Sequence, residues 1–224
     1  MPTEKEFTVA IYADEYKQIC AWVLKNQTLE TGGDLFGLWS DDHSAVIQLV
    51  LGPGRNCQRT THSFYQDVAY LEKVGSNLTS EEGVCHIGEW HSHHRIGLKQ
   101  PSGGDERTVW TNMPQYNLRR FLLFIANIEP KADHGEDVVS VGCFLFEQTG
   151  TKRKVLKGNF NLLPKESPFR SKCLTILQEG AEVMNKDEEI ASILEIRQKS
   201  SSKNTERPLM LYQPNKSFQC CSLM

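Results

Sequence analysis

Two histidines and an aspartate fall within fifteen positions: His91-Ser92-His93, then eight residues, then Ser102-Gly103-Gly104-Asp105. A chain that uses these side chains together must set two different elements against each other. Residues 84–90, Val-Cys-His-Ile-Gly-Glu-Trp, read as a strand. On a strand, residues of one parity share a face, so His91 and His93 converge while Ser92 turns away. Pro101-Ser102-Gly103-Gly104 breaks the chain, and Asp105-Glu106-Arg107-Thr108-Val109-Trp110 reads as the first turns of a helix. The expected local fold is therefore a strand followed by a helix start that swings a carboxylate back onto two imidazoles. Zinc favours that donor set, and three protein ligands leave a fourth position for water.

Each piece taken singly has a plainer reading. Asp105 alone is a first-turn carboxylate favoured by the helix dipole, with Ser102 as N-cap. It is the whole constellation that points to a metal site. His43, His62, His86 and His134 have no ligand spacing, and His94 points to the opposite face of any strand that continues. Cys20, Cys57, Cys85, Cys143 and Cys173 are too scattered for a zinc knuckle.

The run Glu89-Trp90-His91-Ser92-His93 followed by Pro101-Ser102-Gly103-Gly104-Asp105 resembles the JAMM motif of the MPN-type metalloenzymes. That family also has an upstream glutamate before a small-residue turn and an apolar strand, matched here by Glu30-Thr31-Gly32-Gly33-Asp34-Leu35-Phe36-Gly37-Leu38-Trp39. One departure is that the spacer at residues 94–101 is one residue longer than the family's usual one. A longer loop is expected to bulge without moving the ligands. The resemblance implies an α/β fold, an MPN-type (cytidine-deaminase-like) mixed β-sheet flanked by helices. It also implies hydrolysis of isopeptide or peptide bonds, typically at the C-terminus of ubiquitin or a ubiquitin-like protein.

The order of elements is that of an α/β domain. Residues 7–12 read as a strand, and Asp14 opens a helix whose stripe is Tyr16, Ile19, Cys20, Val23 and Leu24. That helix is expected to end near Glu30 and Gly32-Gly33. Strands follow at 35–39 and 45–51, around a hairpin at Ser40-Asp41-Asp42-His43. Phe64, Val68 and Leu71 argue for a second helix over 64–74. Residues 120–128 and 138–146 read as apolar, antiparallel strands, and Ser167-Pro168 as the cap and first turn of a helix carrying Phe169, Cys173, Ile176, Leu177 and Met184. A further helical segment is expected over 188–197. The expected organisation is a zinc hydrolase domain over 1–165, a helical extension over 166–199 and a flexible tail over 200–224.

At 224 residues with net charge −3, the chain suits one globular core and carries no signature of nucleic-acid steering. The N-terminus is charged and lacks an apolar core, so no signal peptide is expected in it. Seven cysteines, an odd number, fit reduced thiols and a cytoplasmic setting, which leaves the sequons at Asn26, Asn77 and Asn215 incidental. The last four residues, Cys221-Ser222-Leu223-Met224, match a prenylation box, with Cys220 placed for a second lipid that would hold the protein at a membrane. A chance terminal cysteine is the alternative.

The chemistry expected of these residues is specific. Zinc on His91, His93 and Asp105 would activate a water, Glu30 would take its proton and pass it to the leaving amine, and Ser102 would donate to the oxyanion. Asp34 and Glu89 are the alternative bases. A scaffold subunit of a larger assembly, without catalysis, is the alternative function, and a partner subunit fits either reading. A deaminase-like zinc site needs His-x-Glu and Pro-Cys-x-x-Cys elements, which this chain lacks.

Overall fold

The computed structural model describes residues 6–129, 137–179 and 181. In chain order the elements are β1 (Phe7–Tyr12), α1 (Ala13–Lys25), β2 (Gly32–Asp41), β3 (Ser44–Val50), β4 (Gln58–Arg59), β5 (Phe64–Tyr65), α2 (Val68–Glu81), β6 (Cys85–Ser92), α3 (Gly103–Gln115), β7 (Arg120–Glu129), β8 (Val138–Thr149), β9 (Lys152–Leu163) and α4 (Pro168–Gln178). Seven strands form one curled mixed sheet in the order β1-β3-β2-β6-β7-β8-β9. β2 is antiparallel to β3 and β6, β6 is parallel to β7, and β7, β8 and β9 make an antiparallel meander. β1 pairs in parallel with both β3 and the second half of β9.

Alternation along the strands sorts the core into layers. Leu122 and Phe124 of β7 share one cluster with Trp90 of β6, Leu35 of β2 and the α1 stripe of Tyr16, Ile19, Cys20 and Val23. On the other face, α2 and α4 cover Phe36, Leu49 and Leu51. Also on that face, Val109 and Met113 of α3 cover Phe121, Leu123 and Ile125. Between these two helical covers run β2 and β6, and there the residues are polar. The strip of sheet that no helix needs for packing is where the site lies.

Four boundaries differ from the sequence reading. α1 stops at Lys25, well before Glu30, because Asn26 caps it by returning its backbone and side-chain N–H to Trp22 O. Gly32 and Gly33 belong to β2 rather than to a turn. Phe64 lies in the short β4–β5 hairpin, and α2 starts only at Val68, where the Asp67 carboxylate accepts from the Tyr70 N–H. β9 was not anticipated; its exposed Lys152, Arg153, Lys154 and Lys157 hide a strand that is held by pairing to β8 and β1. β7 and β8 pair antiparallel as expected, and Ser167 caps α4 by accepting from the Phe169 N–H.

Cys20, Cys143 and Cys173 carry free, buried thiols. His134, Met184, the segment at 188–197 and the tail with Cys220 and Cys221 lie outside the described residues. Among the described residues no helix is long and apolar enough to cross a membrane.

Candidate metal centre

β6 ends in the centre of the sheet, where pairing on both sides fixes its side chains. Gly32 of β2 faces His91 across the antiparallel ladder, and Ile125 of β7 faces it on the parallel side. The ladder runs on beyond the strand, with the His93 N–H donating to Ala126 O at 2.8 Å and the Ser92 N–H to Thr31 O at 2.7 Å. Ser92 turns away as expected, and its hydroxyl accepts from the Thr31 N–H at 3.0 Å. The two glycines are dictated by crowding. A Cβ on Gly33 would stand 2.0 Å from Leu51 O, and one on Gly32 would stand 2.6 Å from both Trp90 O and the Phe64 ring. The Trp90 indole, buried behind them, donates to the same Leu51 O at 2.9 Å and locks β6 to the end of β3.

α3 supplies the third donor through its own cap. Ser102 Oγ accepts from the Asp105 N–H at 3.1 Å, while Asp105 Oδ2 accepts from the Ser102 N–H at 2.6 Å. This reciprocal capping box holds the aspartate rotamer. The same Oδ2 lies 3.3 Å from His93 Nε2 and 3.7 Å from His91 Nε2, and the two Nε2 atoms are 3.1 Å apart. A four-coordinate ion with bonds of about 2.0–2.1 Å sets its ligand atoms roughly 3.3 Å apart, so the triangle has the size that such an ion requires. His93 Nδ1 lies 2.8 Å from Leu98 O; as the protonated nitrogen it donates there and leaves Nε2 as a lone pair facing the others. All three residues are buried, and theirs is the one group of at least three donors among the described residues that could hold a metal. Burial alone would raise the Asp105 carboxyl, but the charges and hydrogen bonds of His91 and His93 outweigh it and hold the group well below the ordinary carboxylate range.

The longer spacer does not disturb this triangle. The extra residue is absorbed where His94 and Gly97 take positive φ, at 31° and 72°. Leu98 is buried, Lys99 pairs with Glu129 at 2.5 Å, and Arg95 bonds Asp137 Oδ1 at 3.1 Å and Gln27 Oε1 at 2.7 Å. His94 leaves the ladder, and its ring bonds Thr61 O at 3.0 Å.

Glu30 is buried, and its N–H donates to Thr60 O at 2.8 Å, which ties it to the β4–β5 hairpin. Glu30 lies two residues before Gly32, the partner of His91 in the β2–β6 ladder, and is not among the three donors of the triangle. In the other direction the register pairs Asp34 with Glu89. Asp34 Oδ1 accepts from His86 Nε2 at 3.0 Å when that nitrogen is protonated. Burial raises the Glu89 carboxyl well above its usual range, and the charges of Asp34 and Asp105 raise it further. Three parts of the site escaped the sequence reading: the Leu98 carbonyl, the Ser92 hydroxyl and the His86–Asp34 pair. The first acts through its backbone, and the β-bulge between Leu35 and Phe36 carries His86 onto the Asp34 face, which alternation alone does not foresee.

Residues 13–139 match the family described as prokaryotic homologs of the JAB domain, and the chain belongs to that family. It is 34% identical over 85 residues to a protein of Sinorhizobium fredii named probable metalloprotease y4qB, covering 37% of this chain and 52% of that protein. It is 30% identical over 105 residues to the CD-NTase/cGAS isopeptidase of Enterobacter hormaechei, covering 46% and 57%. The chain thus spans about half the length of the curated relatives it matches. The solution structure of protein DSY2949 from Desulfitobacterium hafniense superposes with a TM-score of 0.50 at 17% identity, covering 70% of this chain and 94% of that one, a likeness of fold alone.

Proposed function

We propose that this protein is a JAMM-type zinc hydrolase that cleaves isopeptide or peptide bonds at the C-terminus of ubiquitin or a ubiquitin-like protein. The observation that carries the reading is the buried triangle of His91, His93 and Asp105. The names of the two relatives, a probable metalloprotease and an isopeptidase, support hydrolysis and the isopeptide bond respectively.

Zinc is the ion that two imidazoles and a carboxylate in this compact triangle suit best, and when bound it acidifies a water ligand and polarises a carbonyl. The rest of the work falls to side chains. Glu30 takes the proton of the attacking water at a carboxylate oxygen and returns it to the leaving amine. Ser102, held at the α3 cap by the Asp105 N–H, donates to the oxyanion as the carbonyl becomes tetrahedral. Glu89, whose carboxyl burial raises well above its usual range, is the less suited base, because the β2–β6 register sets it opposite Asp34. Asp34 is engaged by His86.

The deciding experiment incubates zinc-loaded protein with a panel of ubiquitin and ubiquitin-like conjugates, beside Glu30→Gln. Cleavage by the native chain and none by the variant is expected. Absence of cleavage across the panel, with zinc bound, removes the hydrolase reading and favours a scaffold.

A further inference from the structure

β7 contains one residue that its surroundings do not explain. Every side chain from Phe121 to Ile128 is buried, and Asn127 alone among them is polar. Phe121, Leu123 and Ile125 point to the face that α3 covers. Asn127 is the next residue of that row. The α3–β7 turn closes with the Leu118 N–H on Met113 O, so α3 folds back along β7 and its N-terminus lies toward the Asn127 end. Ile125 pairs with His91, Ala126 pairs with Ser92, and the His93 N–H bonds Ala126 O. Asn127 is therefore the lateral neighbour of His93 on the ligand-bearing face.

Asn127 is 1% exposed, and its Oδ1 has no hydrogen-bond partner. A buried amide oxygen without a donor is a cost that folds keep where something else supplies the donor. Three donors of the site are committed elsewhere: His93 Nδ1 faces Leu98 O, the Asp105 N–H serves Ser102 Oγ, and the Ser102 N–H serves Asp105 Oδ2. What the site still lacks is the water that three protein ligands leave room for.

We propose that Asn127 is a positioning residue of the metal centre, its Oδ1 accepting a hydrogen bond from the water that fills the fourth ligand position. Such an acceptor fixes the orientation of the water and strengthens its donation to the cation, as polar groups behind metal ligands do. The inference rests on the metal reading of His91, His93 and Asp105, and it adds β7 to the elements that build the site.

Cobalt substitution of the full chain tests it without any substrate. Asn127→Leu keeps the volume and removes the acceptor. Its affinity for Co2+, measured by chelator competition, is expected to fall about tenfold or more, with a changed visible d–d band. Asn127→Asp retains an acceptor and is expected to restore the band. Asn127→Ala gives the same comparison if the leucine variant does not fold. Leucine or alanine variants with the native affinity and band overturn the role of Asn127 and leave the metal centre standing. A native chain that takes up no cobalt overturns both.

Discussion

Glu30 and Ser102 stand differently to the three donors, so their replacements separate the base from the oxyanion donor. Glu30 lies outside the triangle, and Glu30→Gln should keep the metal and the fold while turnover falls by roughly 10²–10⁴-fold. Elemental analysis beside a rate measurement checks this; near-native turnover in the variant, with Asp34→Asn inactive, would transfer the role of base. Ser102 holds the α3 cap as well as the expected oxyanion contact. Ser102→Ala should therefore lose about 10²–10³ in kcat and, separately, about 1 kcal/mol of stability. Glu89 gives a pH signature. Its folded-state pKa is raised above the unfolded value of about 4.3. Its contribution to stability is then full below that value and is lost as pH rises through the folded one. Glu89→Gln, which mimics the protonated form, should melt progressively higher than the native chain as pH rises above about 4.3 toward the folded value. Parallel melting curves across that range would remove the assignment.

The elements meet through a few buried polar joints. The Arg170 guanidinium of α4 forks onto both oxygens of Glu15 in α1 and also donates to Val50 O at 3.0 Å, while the Val50 N–H donates to Glu15 Oε2 at 2.8 Å. Glu15 is fully buried, so Arg170→Ala strands a charge and should destabilise by about 3–5 kcal/mol. The double variant Glu15→Gln/Arg170→Met should recover much of that loss, and chemical denaturation of the three proteins decides it. This joint was not legible in the sequence, because Glu15 and Arg170 are remote in the chain and each passes for a solvated helix residue. Where apolar residues mark the buried positions, as in the α1 stripe and the apolar runs of β7 and β8, sequence and structure agree on the element. Where an element is held by pairing, as in the lysine-rich β9, or started by a cap, as in α2 at Asp67, alternation carries no such signal.

At the scale of the whole molecule the metal motif was legible because its donors are close in the chain and their spacing alone implies a strand and a helix start. Glu30 was legible only through resemblance; the strand that follows it is held by the β2–β6 register, where Gly32 and Gly33 leave no room for a Cβ. If the triangle holds an ion, three elements of the fold, β6, α3 and the loop between them, are joined through it, and global stability must follow metal occupancy. An ion present at a thousand times its dissociation constant adds about 4 kcal/mol to the folded state. For a domain of this size that corresponds to roughly 8–16 °C in melting temperature. Chelation of the zinc-loaded chain should produce that drop, and His93→Ala, which lacks one corner of the triangle, should melt at one temperature with or without chelator. A native chain whose melting temperature ignores both added zinc and chelator would show that the three buried donors are held by protons, and the hydrolase reading would fall with the metal.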